Sequence, residues 1–369
     1  MTIPFNDLRR HYTSMAAELD EAAARVIRSG WYVLGPEVSA FEQEWADFCG
    51  AAHCVSLANG SDALLLGLRA LGVGAGDEVL TVANAGTYTT YAAHNVGATP
   101  RYVDVEPTTA TLDPTLLAAA ITPRTKVIVP VHVYGRVANL TAIMALAAEY
   151  NLPVLEDCAQ AHGAQWHGRH VGTWGVAGCF SFYPTKNLGA LGDGGALITN
   201  DSAFAERVRQ LRTYGWSQKY TTTVINGTNS RLDELQAAVL RVKLRFLVAQ
   251  NARRREIAAR YAAGLAGSAV QLFATAPVGE HVQHLFVIQV AAEDRAALQT
   301  ALRELNIGSD VHYPVADHRQ PAWADRYADL HLPVTEQLAA TVLSLPCYPE
   351  LTDAEVDTVI AAVRGALQG

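Results

Sequence analysis

The sequence predicts an α/β fold: a large domain built on a mainly parallel sheet, followed by a smaller α+β domain. Three observations carry that expectation. Between about residues 50 and 200, short all-apolar runs alternate with helical patterns, as strands covered on both faces do. From about residue 265 onward, strand and helix patterns mix without that alternation. Half of the 369 residues are hydrophobic and only 17% are charged, which suits large buried cores and argues against disorder. The division is expected at 1–248 and 249–369. No repeat or low-complexity linker separates the two, so they should pack tightly.

The elements follow in order. HCVSLA reads as the first strand and SDALLLGLRALG as its helix. EVLTVA is a strand, TYTTYAAHNVG a helix ended by Gly97, and RYVDV a strand. In DPTLLAAAI, Asp113 is the N-cap and Pro114 the first helical residue, where a missing N–H is tolerated. KVIVPVHV, NLTAIMALAAEYN and LPVLEDC continue as strand, helix and strand. CFSFY and GGALIT read as two more strands around a loop. In NSRLDELQAAVLRVKLRF, Leu232, Leu235, Val239, Val242 and Phe246 recur at helical steps. Ser230 and Asp233 suggest a capping box there. That helix is expected to run on through NARRREIAARYAAGL, with the arginines on a solvated face. HLFVIQV, DRAALQTALRELNIG and DAEVDTVIAAVRGALQ supply the strand and helices of the smaller domain.

The formal charge of −8 gives no global attraction to nucleic acid or an anionic membrane, so an anionic ligand needs a local basic site. The five cysteines are scattered, which favours buried thiols over a disulfide framework. MTIPFNDLRRHY has no signal-peptide core, and no apolar run is long enough to span a bilayer. A cytoplasmic protein without nucleic-acid or membrane partners is the expectation.

Ligands of open α/β sheets bind at the carboxyl ends of strands, and three features fall there. ANGSDAL puts Asn59, Gly60 and Ser61 between a strand and a helix, either an anion-binding corner or a plain tight turn. PVLEDCAQAHGA ends a strand in Glu156 and Asp157. A carboxylate there needs a partner such as a metal, a sugar hydroxyl or a protonated ring nitrogen. The spacing of His162, His167 and His170 fits no common zinc pattern, and no metal is expected. The third feature is Lys186, in SFYPTKNLGALGDGGA. A lysine in an apolar loop loses basicity and suits Schiff-base chemistry, although it could also be structural and reach solvent. Its lysine precedes the glycines, so this is no triphosphate loop, and GxGxxG after the first strand is absent. A phosphate corner, an acid and a Schiff-base lysine are the needs of pyridoxal phosphate.

At these residues the sequence resembles the sugar-nucleotide aminotransferases of the DegT/DnrJ/StrS type, a branch of the fold-type I pyridoxal phosphate enzymes. The resemblance runs from IPFNDL and SGWYVLGP through ANGSDAL, VDVEP, VPVHVYG, EDCAQAHGA, SFYPTKNLGALGDGGA, TYGW and GTNSRLDELQAAVL to HYP. It implies an aspartate aminotransferase-like fold with a seven-stranded sheet, and a homodimer with active sites shared across the interface. It implies Lys186 as the Schiff-base lysine and Asp157 as the partner of the pyridinium nitrogen. Gln160 would lie near the phenolic oxygen, and Tyr88 would stack on the ring. Gly60, Ser61 and Ser181 would cup the phosphate, joined by Asn229 from the partner subunit.

The implied reaction is ping-pong transamination, with glutamate as the expected donor and a nucleotide-linked keto sugar as acceptor. A family branch that removes a sugar hydroxyl carries histidine at the lysine position, so Lys186 argues for aminotransfer. YPTKNLGALGDGGA and HYPVADHRQPAW resemble the enzymes acting at C-3 of dTDP-linked 3-keto-6-deoxyhexoses; the alternative is a C-4 enzyme of the same family. Tyr183, Lys219, Tyr220, Arg231, His312 and Tyr313 are the candidates for contacts with the sugar and diphosphate.

Overall fold

The computed structural model describes residues 2–367. Seven strands build the large sheet: β1 (His53–Leu57), β2 (Glu78–Val82), β3 (Thr99–Val103), β4 (Thr125–Ile128), β5 (Leu155–Asp157), β6 (Ala177–Ser181) and β7 (Gly195–Thr199). Two ladders, β1-β7-β6-β5 and β3-β2-β4, are joined by parallel bridges Ile128–Val154 and Val131–Asp157. β7 runs antiparallel to β1 and β6, and the other pairings are parallel. The expected seven-stranded, mainly parallel sheet is therefore what forms. Every residue of β2 and β7 is buried, which is why these strands read as unbroken apolar runs rather than alternating ones.

The helices cover both faces. Gly60–Ala70 follows β1 and buries Ala63, Leu64, Leu66 and Leu68. Its N-cap Asn59 accepts from Asp62 N at 2.8 Å. Asp113 caps Pro114–Ala120 as expected, accepting from Thr115 N at 2.8 Å. Ahead of β1 lie three helices, Leu8–Thr13, Ala16–Ser29 and Pro36–Cys49, which the strand–helix alternation did not predict. Ala16–Ser29 packs Leu19, Ala22 and Val26 against Ala238, Val239 and Val242.

The capping box expected at Ser230 and Asp233 does not form. The helix begins later, at Glu234. Bridges Thr213–Asn229 and Val33–Asp233 hold the preceding backbone extended, and the Ser230 hydroxyl accepts from Ala58 N instead. Nor does the helix run on unbroken: Glu234–Leu244 ends and Leu247–Leu265 begins after a turn at Arg245–Phe246. The arginine run is not wholly a solvated face either. Arg254 is buried and donates to the carbonyls of Cys347 and His284, two segments against which this helix packs.

In the C-terminal part, β8 (Gln271–Leu272), β9 (Phe286–Gln289) and β10 (Val342–Leu345) form an antiparallel sheet. Helices Leu247–Leu265, Ala292–Glu304 and Asp353–Ala366 accompany it. Tyr261, Ile288, Leu302, Leu343 and Val359 share one core there with Ile3, so the N-terminus packs on the C-terminal part. Residue 248 lies in the first turn of Leu247–Leu265. All five cysteines are free and buried. Among the described residues no helix is long and apolar enough to cross a membrane.

Candidate active site

Strand β5 carries Asp157 to the carboxyl edge of the sheet. Its side chain is buried, with Oδ1 accepting from Ala159 N and Oδ2 from Thr89 Oγ1, both at 3.1 Å. Burial raises its pKa above the usual carboxylate value, while these two hydrogen bonds and the charge of Lys186 oppose that rise.

Glu156 points to the opposite face, as strand alternation requires. Its Oε2 accepts from Gly172 N at 2.7 Å, and its Oε1 from Trp174 N and Gly175 N at 2.8 and 2.9 Å. His132 Nδ1 accepts from Ala138 N at 3.1 Å, so the ring proton sits on Nε2 and is donated to Glu156 Oε2 at 3.2 Å. His132, Glu156 and Cys158 bring ligand-type atoms within 4.8 Å of one another. These bonds occupy the carboxylate and both imidazole nitrogens, so the cluster braces the strand behind Asp157. His162 and His170 pack against Trp45, whereas His167 lies 3.8 Å from Glu280 with an exposed ring.

Lys186 sits in a pinched loop between β6 and β7. Lys186 N donates to Tyr183 O and Ala190 N to Phe182 O, both at 2.8 Å. A Cβ on Gly189 would come within 2.4 Å of Pro184 O, so the turn requires glycine there. The lysine is half-buried, but its ammonium lies deep enough that desolvation lowers its pKa to about 8, against the pull of Asp157. Its Nζ makes no hydrogen bond or ion pair among the described residues.

The third component is the corner between β1 and its helix. Gly60 and Ser61 occupy the first turn, where backbone N–H groups lack helical partners and the dipole favours an anion. A Cβ on Gly60 would lie 2.5 Å from Ser181 Cβ. Glycine thus lets the Ser181 hydroxyl and the helix start meet. Their donors fit a phosphate.

These components line one cavity of about 390 Å³, together with Tyr88 and Gln160. Gln160 Oε1 accepts from Tyr134 N at 2.5 Å, which turns Nε2 toward the Tyr313 hydroxyl at 2.9 Å. A donor on that wall suits an oxygen acceptor. The residues present therefore fit a phosphorylated pyridine aldehyde: a phosphate corner, an acid for the ring nitrogen and a poorly solvated amine for the carbonyl.

Of the candidate sugar contacts, Tyr183, His312 and Tyr313 line the same cavity. Lys219, Tyr220 and Arg231 do not, and neither does Asn229, expected at the partner subunit's cofactor phosphate. Lys219 and Tyr220 lie on an exposed hairpin, with the ammonium 5.1 Å from the Tyr220 ring centroid. Asn229 is exposed and Arg231 half-buried. Sequence reasoning passed over His284, which also lines the cavity, and Asp317, which holds the helix carrying Tyr88. Neither lies in a local pattern that betrays it.

Residues 13–364 match the family model described as the DegT/DnrJ/EryC1/StrS aminotransferase family. The chain is 49% identical over 370 residues to the erythromycin biosynthesis sensory transduction protein EryC1 of Saccharopolyspora erythraea, with 99% of each chain covered. It is 46% identical over 364 residues to the dTDP-3-amino-3,4,6-trideoxy-alpha-D-glucose transaminase of Streptomyces venezuelae, covering 98% of this chain and 95% of that one. It is 45% identical over 368 residues to the UDP-N-acetyl-3-dehydro-alpha-D-glucosamine 3-aminotransferase of Acidithiobacillus ferrooxidans, covering 100% and 98%. Among solved structures, S. venezuelae DesV in complex with a ketimine intermediate matches with a TM-score of 0.96 at 46% identity, covering 100% of this chain and 99% of that one.

Proposed function

The chain belongs to the DegT/DnrJ/EryC1/StrS aminotransferase family, and on that premise we propose that it transfers an amino group from L-glutamate to C-3 of a dTDP-linked 3-keto-6-deoxyhexose. The product is the dTDP-3-amino-3,6-dideoxyhexose. The protein is a pyridoxal 5′-phosphate-dependent sugar-nucleotide aminotransferase. The observation that carries this reading is convergence: Asp157, Lys186 and the Gly60–Ser61–Ser181 corner come from separate stretches and line one cavity.

When bound, the cofactor supplies an electron sink for the carbon that gives up a proton. Gly60, Ser61 and Ser181 would hold its phosphate, Tyr88 would lie against its ring and Gln160 Nε2 would donate to its phenolic oxygen. Asp157 would pair with the ring nitrogen and hold a proton there. Lys186 Nζ takes the proton from the donor's Cα and later returns it, as general base and then acid. With a pKa of about 8, a useful share of this amine is unprotonated near neutral pH. The same burial keeps water from the proton in transit.

Tyr183, His312 and Tyr313 bound the sugar. Lys219, Tyr220 and Arg231 lie outside the cavity of their own protomer and would meet the diphosphate only beyond its rim or from the partner subunit, as Asn229 would reach the partner subunit's cofactor phosphate. A homodimer is what the family resemblance implies, and the exposed side chains of Trp31, Tyr32, Leu191, Tyr220 and Ile225 are apolar surface that a partner subunit would cover. Position 3 is supported by YPTKNLGALGDGGA and HYPVADHRQPAW, and by the S. venezuelae and A. ferrooxidans relatives, whose names share that position but differ in nucleotide.

The test is to load the protein with pyridoxamine phosphate and mix it with dTDP-linked 3-keto, dTDP-linked 4-keto and UDP-linked 3-keto sugars. Return of the yellow absorbance should be fastest with the dTDP-linked 3-keto sugar. Faster turnover of the 4-keto sugar would overturn the regiochemistry; faster turnover of the UDP sugar would overturn the nucleotide.

A further inference from the structure

We infer that His284 is a positioning residue for Lys186, with a single fixed tautomer that leaves a bare Nε2 lone pair on the wall of the cavity the lysine also lines. The inference rests on the aminotransferase reading, since it concerns the lysine that reading makes the base.

The tautomer follows from hydrogen-bond directions, because two backbone carbonyls at the ends of a buried network can only accept. Asn251 Nδ2 donates to His162 O at 2.8 Å. Asn251 Oδ1 therefore faces the other way and accepts from Asn187 Nδ2 at 2.8 Å. The second proton of Asn187 Nδ2 goes to Val282 O at 3.0 Å. That leaves Asn187 Oδ1 against His284 Nδ1 at 3.1 Å. An amide oxygen has nothing to donate, so Nδ1 carries the imidazole proton. Turning Asn187 over would set its oxygen against two acceptors, Val282 O and Asn251 Oδ1. The three side chains are buried, where such a mismatch costs most.

Nε2 is then a bare acceptor. Burial and the charges of Lys186 and Arg254 hold the imidazole well below its usual pKa, so the ring is neutral near pH 7. His284 and Lys186 line the same cavity, and His284 Nε2 has no hydrogen-bond partner among the described residues. Asn187 directly follows Lys186, so the network that orients the imidazole also fixes the backbone from which the lysine springs. On the aminotransferase reading Asp157 would be committed to the cofactor's ring nitrogen. A neutral imidazole can steer Nζ without competing for its proton.

The charged and titratable groups facing this pair are Asp157 at the end of β5, His162 just beyond it, Arg254 from helix Leu247–Leu265, and Asp310 with His312 ahead of β10. No hydrogen bond joins Nζ to this imidazole in the structure, but a bare acceptor on the shared cavity wall favours the protonated amine, so removing it should lower the pKa of Lys186 further.

The experiment uses full-length protein loaded with pyridoxamine phosphate, in which Lys186 is a free amine. Imidazole proton–nitrogen correlation spectra should give His284 as the Nδ1–H tautomer; a proton on Nε2 would overturn the inference. Modification of Lys186 by trinitrobenzenesulfonate, followed against pH by peptide mass, should titrate lower in His284→Phe. That variant should also lose roughly tenfold to a hundredfold in kcat with little change in KM for the sugar. His284→Gln can donate to Asn187 and offer a carbonyl, so it should recover much of both. An unchanged Lys186 titration in folded His284→Phe would overturn the inference. If that variant does not fold, the wild-type tautomer and the His284→Gln titration decide. Failure of borohydride to fix the cofactor on Lys186 would sink the functional reading alone; fixation on Lys186 with a proton on Nε2 would sink this inference alone.

Discussion

Lys243 donates from Nζ to the carbonyl of Gly189 at 2.7 Å, tying helix Glu234–Leu244 to the loop that carries Lys186. Lys243 is buried, and desolvation lowers its pKa to about 8, with Glu350 opposing. Because the pKa falls on folding from an ordinary 10.5, the unfolded chain binds more protons between about pH 8 and 10.5. Stability contributed by this group therefore rises with pH across that window.

Lys243→Met keeps the apolar stem but leaves the Gly189 carbonyl without its donor, a loss of about 1–3 kcal/mol. Relief from burying a charge offsets part of that loss near pH 7. The variant should therefore melt within a few degrees of wild type at pH 7 and fall behind as pH rises toward 10. Paired melting curves check this. A difference that does not change with pH would show that the ammonium is not buried against Gly189.

Asp317 clamps the helix that begins at Tyr88. Its Oδ1 accepts from Thr87 N at 2.9 Å and its Oδ2 from Thr90 Oγ1 at 2.7 Å, while Asp317 N donates to Ala83 O. Thr87, the helix's own N-cap, makes no side-chain cap bond, so the cap comes from far along the chain. Burial raises the Asp317 pKa to about 7, against an ordinary 3.8. The native state then binds the proton more tightly. The associated stability is complete below the unfolded pKa and is lost as pH rises through about 7. Asp317→Asn should remove up to about 1.4 kcal/mol per pH unit of that slope between pH 4 and 7. Urea titrations at several pH values measure it, and parallel wild-type and variant curves would refute the clamp's protonation.

Lys186 is the residue on which the chemistry turns. The purified protein should be yellow, and borohydride should attach the cofactor to Lys186, as read by peptide mass. Lys186→Ala should keep the fold and lose transamination by at least about a hundredfold, the usual scale for a general acid–base residue. Attachment at another lysine, or normal turnover in the variant, would remove Lys186 from the mechanism.

The parts of the site legible in the sequence are those whose signals are local. Asp157 ends an apolar strand, Gly60 and Ser61 sit between a strand and a helix, and Lys186 stands alone in a run of glycines and aromatics. Their supporting residues act across long separations that no window spans. His284 and Asn187 are 97 positions apart, and His284 opens what reads as an ordinary apolar strand. Glu234 opens its own helix, yet its carboxylate caps helix Pro36–Cys49, accepting from Gly35 N, Glu37 N and Val38 N. Arg254 lies in a run that resembles a wet helix face, and only the fold supplies the buried carbonyls it bonds. In each case the signal is a tertiary hydrogen bond, which leaves no periodicity behind.

The last prediction concerns what lies outside the cavity. Asn229 was expected to act on the partner subunit's phosphate, and in its own protomer it is exposed and does not line the site. In a two-fold dimer, each site would then draw Lys186 from one chain and Asn229 from the other. Lys186→Ala and Asn229→Ala should each be impaired as homodimers. Mixing them under conditions of subunit exchange should create dimers with one intact site and one doubly altered site. Activity should rise above that of either parent, and the intact site should bind cofactor with wild-type affinity. If both variants fold and exchange subunits but the mixture stays at the level of its parents, Asn229 does not serve the neighbouring site.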